Sequence, residues 1–187
     1  MADLKLDILV IPTYNTLTLG VADASTYPDS PPVSSPSIQI TVPGFGIVTL
    51  PFNRNDFNIF NSTSLGLTDV GVPLTPLPDG AYTLTYSVSP AYQNYVTKTF
   101  YRVEQLQQKF DEAFMKLDMI QCDMAIKKQQ MVDLNTIYFF IQGAIAAANN
   151  CAIETANTLY KQASRMLTNF IKNDCGCSGT NYITNFN

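Results

Sequence analysis

Histidine and tryptophan are absent from this chain of 187 residues. Without histidine there is no Ser-His-Asp or Cys-His nucleophile and no imidazole-ligated metal. Charge is also scarce: Asp, Glu, Lys and Arg make up 14% of the residues, against about 25% in ordinary soluble domains. The net charge of −4 leaves no basic footprint for sequence-specific nucleic-acid binding. Long hydrophobic runs are missing too. The most apolar stretch, Phe139 to Ala148, is short and interrupted by Gln142, so no membrane span is expected. The opening Met-Ala-Asp-Leu-Lys-Leu-Asp has neither a basic leader nor an apolar core. No signal peptide is therefore expected, and the chain is expected to be made in a reducing cytosol. Four cysteines are too few for a disulfide scaffold at this length.

What is present falls into two halves. All 11 prolines lie between Pro12 and Pro90, and that half alternates apolar and polar residues with period two, as half-buried strands do. Leu4, Leu6, Ile8 and Val10 share one parity, as do Leu17, Leu19 and Val21; Ile38, Ile40 and Val42; Val48, Leu50 and Phe52; and Tyr82, Leu84, Tyr86 and Val88. Pro31-Pro32, Pro43-Gly44 and Pro78-Asp79-Gly80 punctuate them. About seven strands in about 100 residues predict an antiparallel β-sandwich over residues 1–102. The connections 22–36 and 61–79 exceed what a compact sandwich needs, and are expected to order against neighbouring subunits.

After the strand Asn94 to Arg102 no proline follows, and apolar residues recur in threes and fours. Val103, Leu106, Phe110, Ala113, Leu117, Ile120 and Met124 fill a heptad stripe. The polar run Lys127-Lys128-Gln129-Gln130 interrupts it before Met131, Leu134, Tyr138, Ile141, Ile145 and Ala148 resume it. After Asn149-Asn150 the phase slips to Ile153, Ala156, Tyr160, Ala163, Leu167 and Phe170. This pattern predicts a helical bundle over 103–174, with helices near 103–127, 131–149 and 151–173 and Asn150 as an N-cap. One continuous helix from 103 to about 149 is the rival. Residues 175–187 are expected to be a flexible, cysteine-containing tail.

Candidate chemistry is thin. Cys175-Gly176-Cys177 is spaced more tightly than structural zinc cysteines, and a Cys₄ site would also need Cys122 and Cys151; a frayed tail is the simpler reading. Asp111, Glu112, Asp118 and Asp123 lie off the apolar stripe, as on a solvated helix face. Asp23 and Asp29 are too few to hold Ca²⁺. Gly44-Phe45-Gly46 precedes a strand rather than a helix, which excludes a phosphate-cradling loop. Asn61-Ser62-Thr63 is formally a glycosylation sequon, and Lys127-Lys128 is far short of a nucleic-acid patch. No catalytic, cofactor or metal residue is therefore expected, and the chain is not expected to be an enzyme. Tyr14, Tyr27, Tyr92 and Tyr95 near loops and strand ends, in a half poor in Lys and Glu, are an interface signature.

The run from Leu77 through Pro78-Asp79-Gly80-Ala81-Tyr82 to Val88 resembles a strand opening in small structural proteins of tailed bacteriophages. A strand feeding a long helix from Val103 follows it. Next come an alanine-rich stretch ending Asn149-Asn150-Cys151, then Leu159-Tyr160, and finally Asp174-Cys175-Gly176-Cys177. This order, over residues 77–177, is similar to β-sandwich-plus-helices proteins of crAss-like phages. The resemblance implies a virion protein assembled in the bacterial cytoplasm as a homo-oligomeric ring or connector layer at the head–tail junction or tail, beside the portal and neighbouring tail proteins. It implies no cofactor and no membrane partner. The alternative expectation is a surface adhesion or carbohydrate-binding module with an exposed aromatic row.

Overall fold

The computed structural model describes residues 8–21, 37–53, 55–87, 95–119 and 123–172. Several antiparallel sheets are followed by three helices. The chain divides into two compact units, Met1–Glu104 and Gln105–Asn187.

In the first unit, β1 (Ile8–Pro12), β2 (Thr16–Val21) and β5 (Asn58–Asn61) form a three-stranded sheet in the order β1-β2-β5. A four-stranded sheet has the order β4-β3-β8-β9, from β3 (Ser37–Val42), β4 (Gly46–Pro51), β8 (Gly80–Ser87) and β9 (Tyr95–Arg102). The parities read from the sequence are the ones that are buried: Ile8, Leu17, Leu19, Ile38, Ile40, Val42, Tyr82, Leu84 and Tyr86 are all at most 1% exposed. These inward residues of both sheets join Phe52, Phe60, Leu65, Leu67 and Leu77 in one hydrophobic cluster.

The segment 61–79 is tied down by its own chain, contrary to the expectation that it orders against neighbours. Asn61 and Ser64 exchange hydrogen bonds, Asn61 N to Ser64 Oγ at 2.7 Å and Ser64 N to Asn61 Oδ1 at 2.9 Å. That turn drives Leu65 and Leu67 into the core. β6 (Thr68–Asp69) and β7 (Val72–Pro73) then form a two-residue hairpin. Its central pair, Val70 and Gly71, both have positive φ, 50° and 80°, the condition of a type I′ turn. A β-branched side chain is strained there, and Val70 is also 97% exposed.

In the second unit, α1 (Glu104–Met119), α2 (Met124–Asn149) and α3 (Ile153–Lys172) replace the expected boundaries. The stripe Leu106, Phe110, Ala113 and Leu117 of α1 is buried as expected. α2, however, starts at Met124 behind the non-helical cap Asp123, and Lys127 to Gln130 lie inside it, so neither the expected turn nor a single helix running through Asp123 forms. The reason is local. Asp123 caps α2, its carboxylate accepting from Ala125 N at 2.8 Å, and Lys127 Nζ reaches back to the Asp118 carbonyl at 2.9 Å. Met124, expected in the stripe, is 80% exposed.

The buried stripe of α2 is Gln130, Leu134, Ile137, Ile141 and Ala144, rotated from the expected Met131, Tyr138 and Ile145. α2 packs on α3, whose buried positions are Ala156, Ala163, Leu167 and Phe170, and a Cβ at Gly143 would lie 3.3 Å from Leu159 Cδ1. Asn150 is a C-cap rather than the expected N-cap: its N–H bonds to the Ala146 and Ala147 carbonyls, and its amide donates to Ala146 O at 2.9 Å. Cys151 turns the chain with φ 60°.

The 139–148 run belongs to this 26-residue helix, which is long and apolar enough to cross a membrane by length and composition. The expectation that the run is too short treated it apart from its helix.

Two substitutions test these boundaries. Asp123→Ala should lower the unfolding free energy by about 1 kcal/mol, whereas Lys128→Ala should change it by less than about 0.5 kcal/mol, both read by chemical denaturation. Val70→Asn should raise stability by about 1 kcal/mol, because asparagine accepts the left-handed conformation that valine resists. A lower denaturation midpoint for that variant would show that the hairpin does not hold this turn.

Candidate functional site

β9 turns two cations toward the interior. Lys98 and Arg102 share the parity of Phe100, which packs against the core. Lys98 Nζ donates to the carbonyl of Ile8, at the start of β1, at 2.7 Å. Arg102, wholly buried, donates from Nη2 to Thr13 O and from Nη1 to Thr16 O, the latter at 3.3 Å. Thr13 and Thr16 close the β1–β2 turn, with Thr13 N bonded to Thr16 O at 2.9 Å. The guanidinium also lies 5.7 Å from the Tyr82 ring centroid and 3.4 Å from Glu104 Oε2.

The surroundings of this cluster set its titration. Burial pushes the Tyr82 phenol far above its ordinary value, with Arg102 only partly opposing it, and the hydroxyl donates to Pro78 O at 2.8 Å. Burial likewise lifts the Glu104 carboxyl, against the pull of Arg102. Arg102 Nη1 and Nη2 and the Tyr82 hydroxyl thus donate to backbone carbonyls, which ties the hairpin to β9, while Arg102 Nε and Glu104 Oε2 are buried without a hydrogen bond.

The other sequence candidates are dispersed. Asp111 and Glu112 accept from Gln107 and Gln108 at 2.9 and 3.2 Å along α1. Asp118 faces Lys127 at 3.8 Å, and Asp123 is a cap. Gly44-Phe45-Gly46 is the β3–β4 turn, and the sequon Asn61 is engaged with Ser64. Cys151 is exposed, while Cys122, Cys175, Cys177, Asp23, Asp29, Tyr27 and Tyr92 lie outside the described residues, as does the Tyr95 side chain. Tyr14 is half-buried. Among the described residues no three metal-ligating side chains gather.

The outer faces of the two sheets are what the fold presents instead. On the three-stranded sheet, Ile11, Thr18 and Ile59 stand side by side across the strands, and Leu9 is paired with Gly20. Leu9, Ile11, Phe57 and Ile59 are 43–65% exposed. Phe57 packs against Gly20, where a Cβ would lie 2.9 Å from its Cδ1 and Cε1. On the four-stranded sheet, one row runs Thr49, Gln39, Thr85, Thr97 and the next Ile47, Thr41, Thr83, Thr99. The Thr83 and Thr99 hydroxyls are 3.3 Å apart and bond to each other. None of these positions on either face carries a charge. The sequence hinted at this through its threonine alternation, but the inward turn of Lys98 and Arg102 was missed.

Arg102→Met should cost about 3–5 kcal/mol of stability, since it leaves the Thr13 carbonyl and the Glu104 carboxylate without their cation; adding Glu104→Gln should restore part of that loss. A loss below about 1 kcal/mol in urea denaturation would remove the clamp from the account. For pH, a carboxyl raised in the folded state contributes stability below its unfolded pKa, and that contribution is lost as pH rises through the folded value. Glu104→Gln should therefore gain on the unsubstituted protein as pH is raised from 4 to 7, measured as the difference in denaturation midpoint. Comparison with protein-family models, with curated proteins and with solved structures finds no match to this chain.

Proposed function

We propose that this protein is a non-enzymatic structural subunit that works through its sheet faces, a ring or connector layer of a bacteriophage head–tail junction or tail. The observation that carries the reading is the pair of uncharged outer faces, built from Leu9, Ile11, Phe57 and Ile59 on one sheet and from threonine rows with Ile47 on the other. Long charged side chains are costly to bury between subunits, and both faces omit them. The order of elements over residues 77–177, with its likeness to crAss-like phage proteins, supports the same reading.

In this reading the two sheets are the layers of a sandwich. Their inward residues share one hydrophobic cluster, and the Tyr82 hydroxyl bonds to the backbone four residues upstream, a device akin to the tyrosine corner of sandwich domains. The helical unit serves as the second contact module. Its exposed Phe139, Met115 and Met119 are the apolar, adaptable kind of surface that docks on a neighbouring layer. Assembly takes place in the host cytoplasm, with the portal and adjacent tail proteins as partners.

Quantitative mass spectrometry of gradient-purified virus particles from the source culture tests this. The expected result is a simple integer ratio between the copy number of this chain and that of the portal protein. Absence from particles, with the protein found free or at a cell surface and binding glycans, would replace the virion reading with an adhesion module.

A further inference from the structure

The chain carries six methionines, and the fold sorts the described ones by exposure. Met119 is 81% exposed, Met124 80% and Met115 53%, whereas Met131 and Met166 are half-buried on α2 and α3. We infer that Met119 and Met124 are sites of reversible oxidation, where a peroxide converts the thioether to a sulfoxide while the chain stays folded. The inference concerns the free protein, goes beyond the structural-subunit reading and does not rest on it.

The two residues flank one junction. Met119 is the last residue of α1 and Met124 the first of α2. Burying a methionine gains about 1.5–3 kcal/mol, and at this exposure both forgo most of it, so neither thioether supports a core. The junction is held by polar groups instead. Asp123 accepts from Ala125 N at 2.8 Å, and Lys127 Nζ donates to the Asp118 carbonyl at 2.9 Å. Neither bond involves a sulfur. A sulfoxide oxygen costs free energy wherever it loses its hydrogen bonds, and on Met119 and Met124 water supplies them. On the half-buried Met131 and Met166 the same oxygen would give up part of that water.

The step is a two-electron oxidation. The methionine sulfur attacks one peroxide oxygen, the O–O bond breaks and an S–O bond forms. The second oxygen leaves with both protons as water, so sulfur is oxidised and the peroxide reduced. The oxidant arrives from solvent, and access to the sulfur therefore sets the order of reaction. Methionine sulfoxide reductases, one for each sulfoxide epimer, return the thioether. Between the two states a flexible apolar surface at the junction becomes a polar one.

Hydrogen peroxide at neutral pH, applied to the full folded chain and followed by peptide mass spectrometry, tests this. Met119 and Met124 should gain one oxygen atom each several-fold faster than Met131 and Met166, with Met115 between them. In guanidinium-unfolded chain the five rates should converge, which assigns the order to the fold. With thiols re-reduced, chain oxidised at Met119 and Met124 should keep the urea midpoint of untreated protein, and the two reductases should remove the added oxygen. The double variant Met119→Leu/Met124→Leu should fold with that same midpoint and lose the fast phase of oxygen uptake. Equal rates at all five residues of the folded chain overturn the proposal. So does a fast phase that survives in the double variant, or a urea midpoint that falls when the pair is oxidised.

Discussion

Two cations on the inward side of the last strand hold the β-rich unit in register. Lys98 takes the carbonyl at the start of β1 and Arg102 takes the carbonyls of the β1–β2 turn, so one strand grips the hairpin near both ends. A guanidinium in the interior is expensive unless it is paired, and here two carbonyls accept from Nη1 and Nη2, a carboxylate stands 3.4 Å from Nε without a hydrogen bond, and an aromatic face lies alongside. Inward-pointing charge also blunts the edge of β9, which has β8 on only one side. With the cations turned inward, the outward parity of that strand is left to Thr97, Thr99 and Tyr101. The uncharged face and the buried clamp are two sides of one alternation.

The helical unit obeys a different constraint. α2 and α3 pack on each other through stripes that mix small and large side chains, Leu134, Ile137, Ile141 and Ala144 on one and Ala156, Ala163, Leu167 and Phe170 on the other. That arrangement leaves larger residues outside: Phe139 is 74% exposed and Val132 51%.

Much of the first unit was legible, because period-two alternation sorts residues by parity without any knowledge of pairing. In β1 to β4 and β8, every residue assigned inward whose burial is described is buried or half-buried. Leu65, Leu67 and Leu77 were not legible, since the turns that aim them depend on the Asn61–Ser64 exchange rather than on a period. Lys98 and Arg102 were missed because charge is read as solvent-facing by default, although the threonines of opposite parity argued otherwise. The α1–α2 break was misplaced for a related reason: a polar run looked like a turn, while the true signal was a single capping aspartate. The faces themselves were only hinted at by low charge, which says that a surface is quiet but not where it lies.

Arg102 and its carbonyl partners are 86 and 89 residues apart in the chain, and Lys98 is 90 residues from Ile8. On a ribosome adding about 5–20 residues per second, the β1–β2 hairpin therefore emerges roughly 5–20 s before the strand that secures it. Throughout that interval Ile8, Leu17 and Leu19 lack the later members of their hydrophobic cluster, Tyr82, Leu84 and Tyr86 among them. The clamp thus makes the tertiary order of the first unit a late event in synthesis.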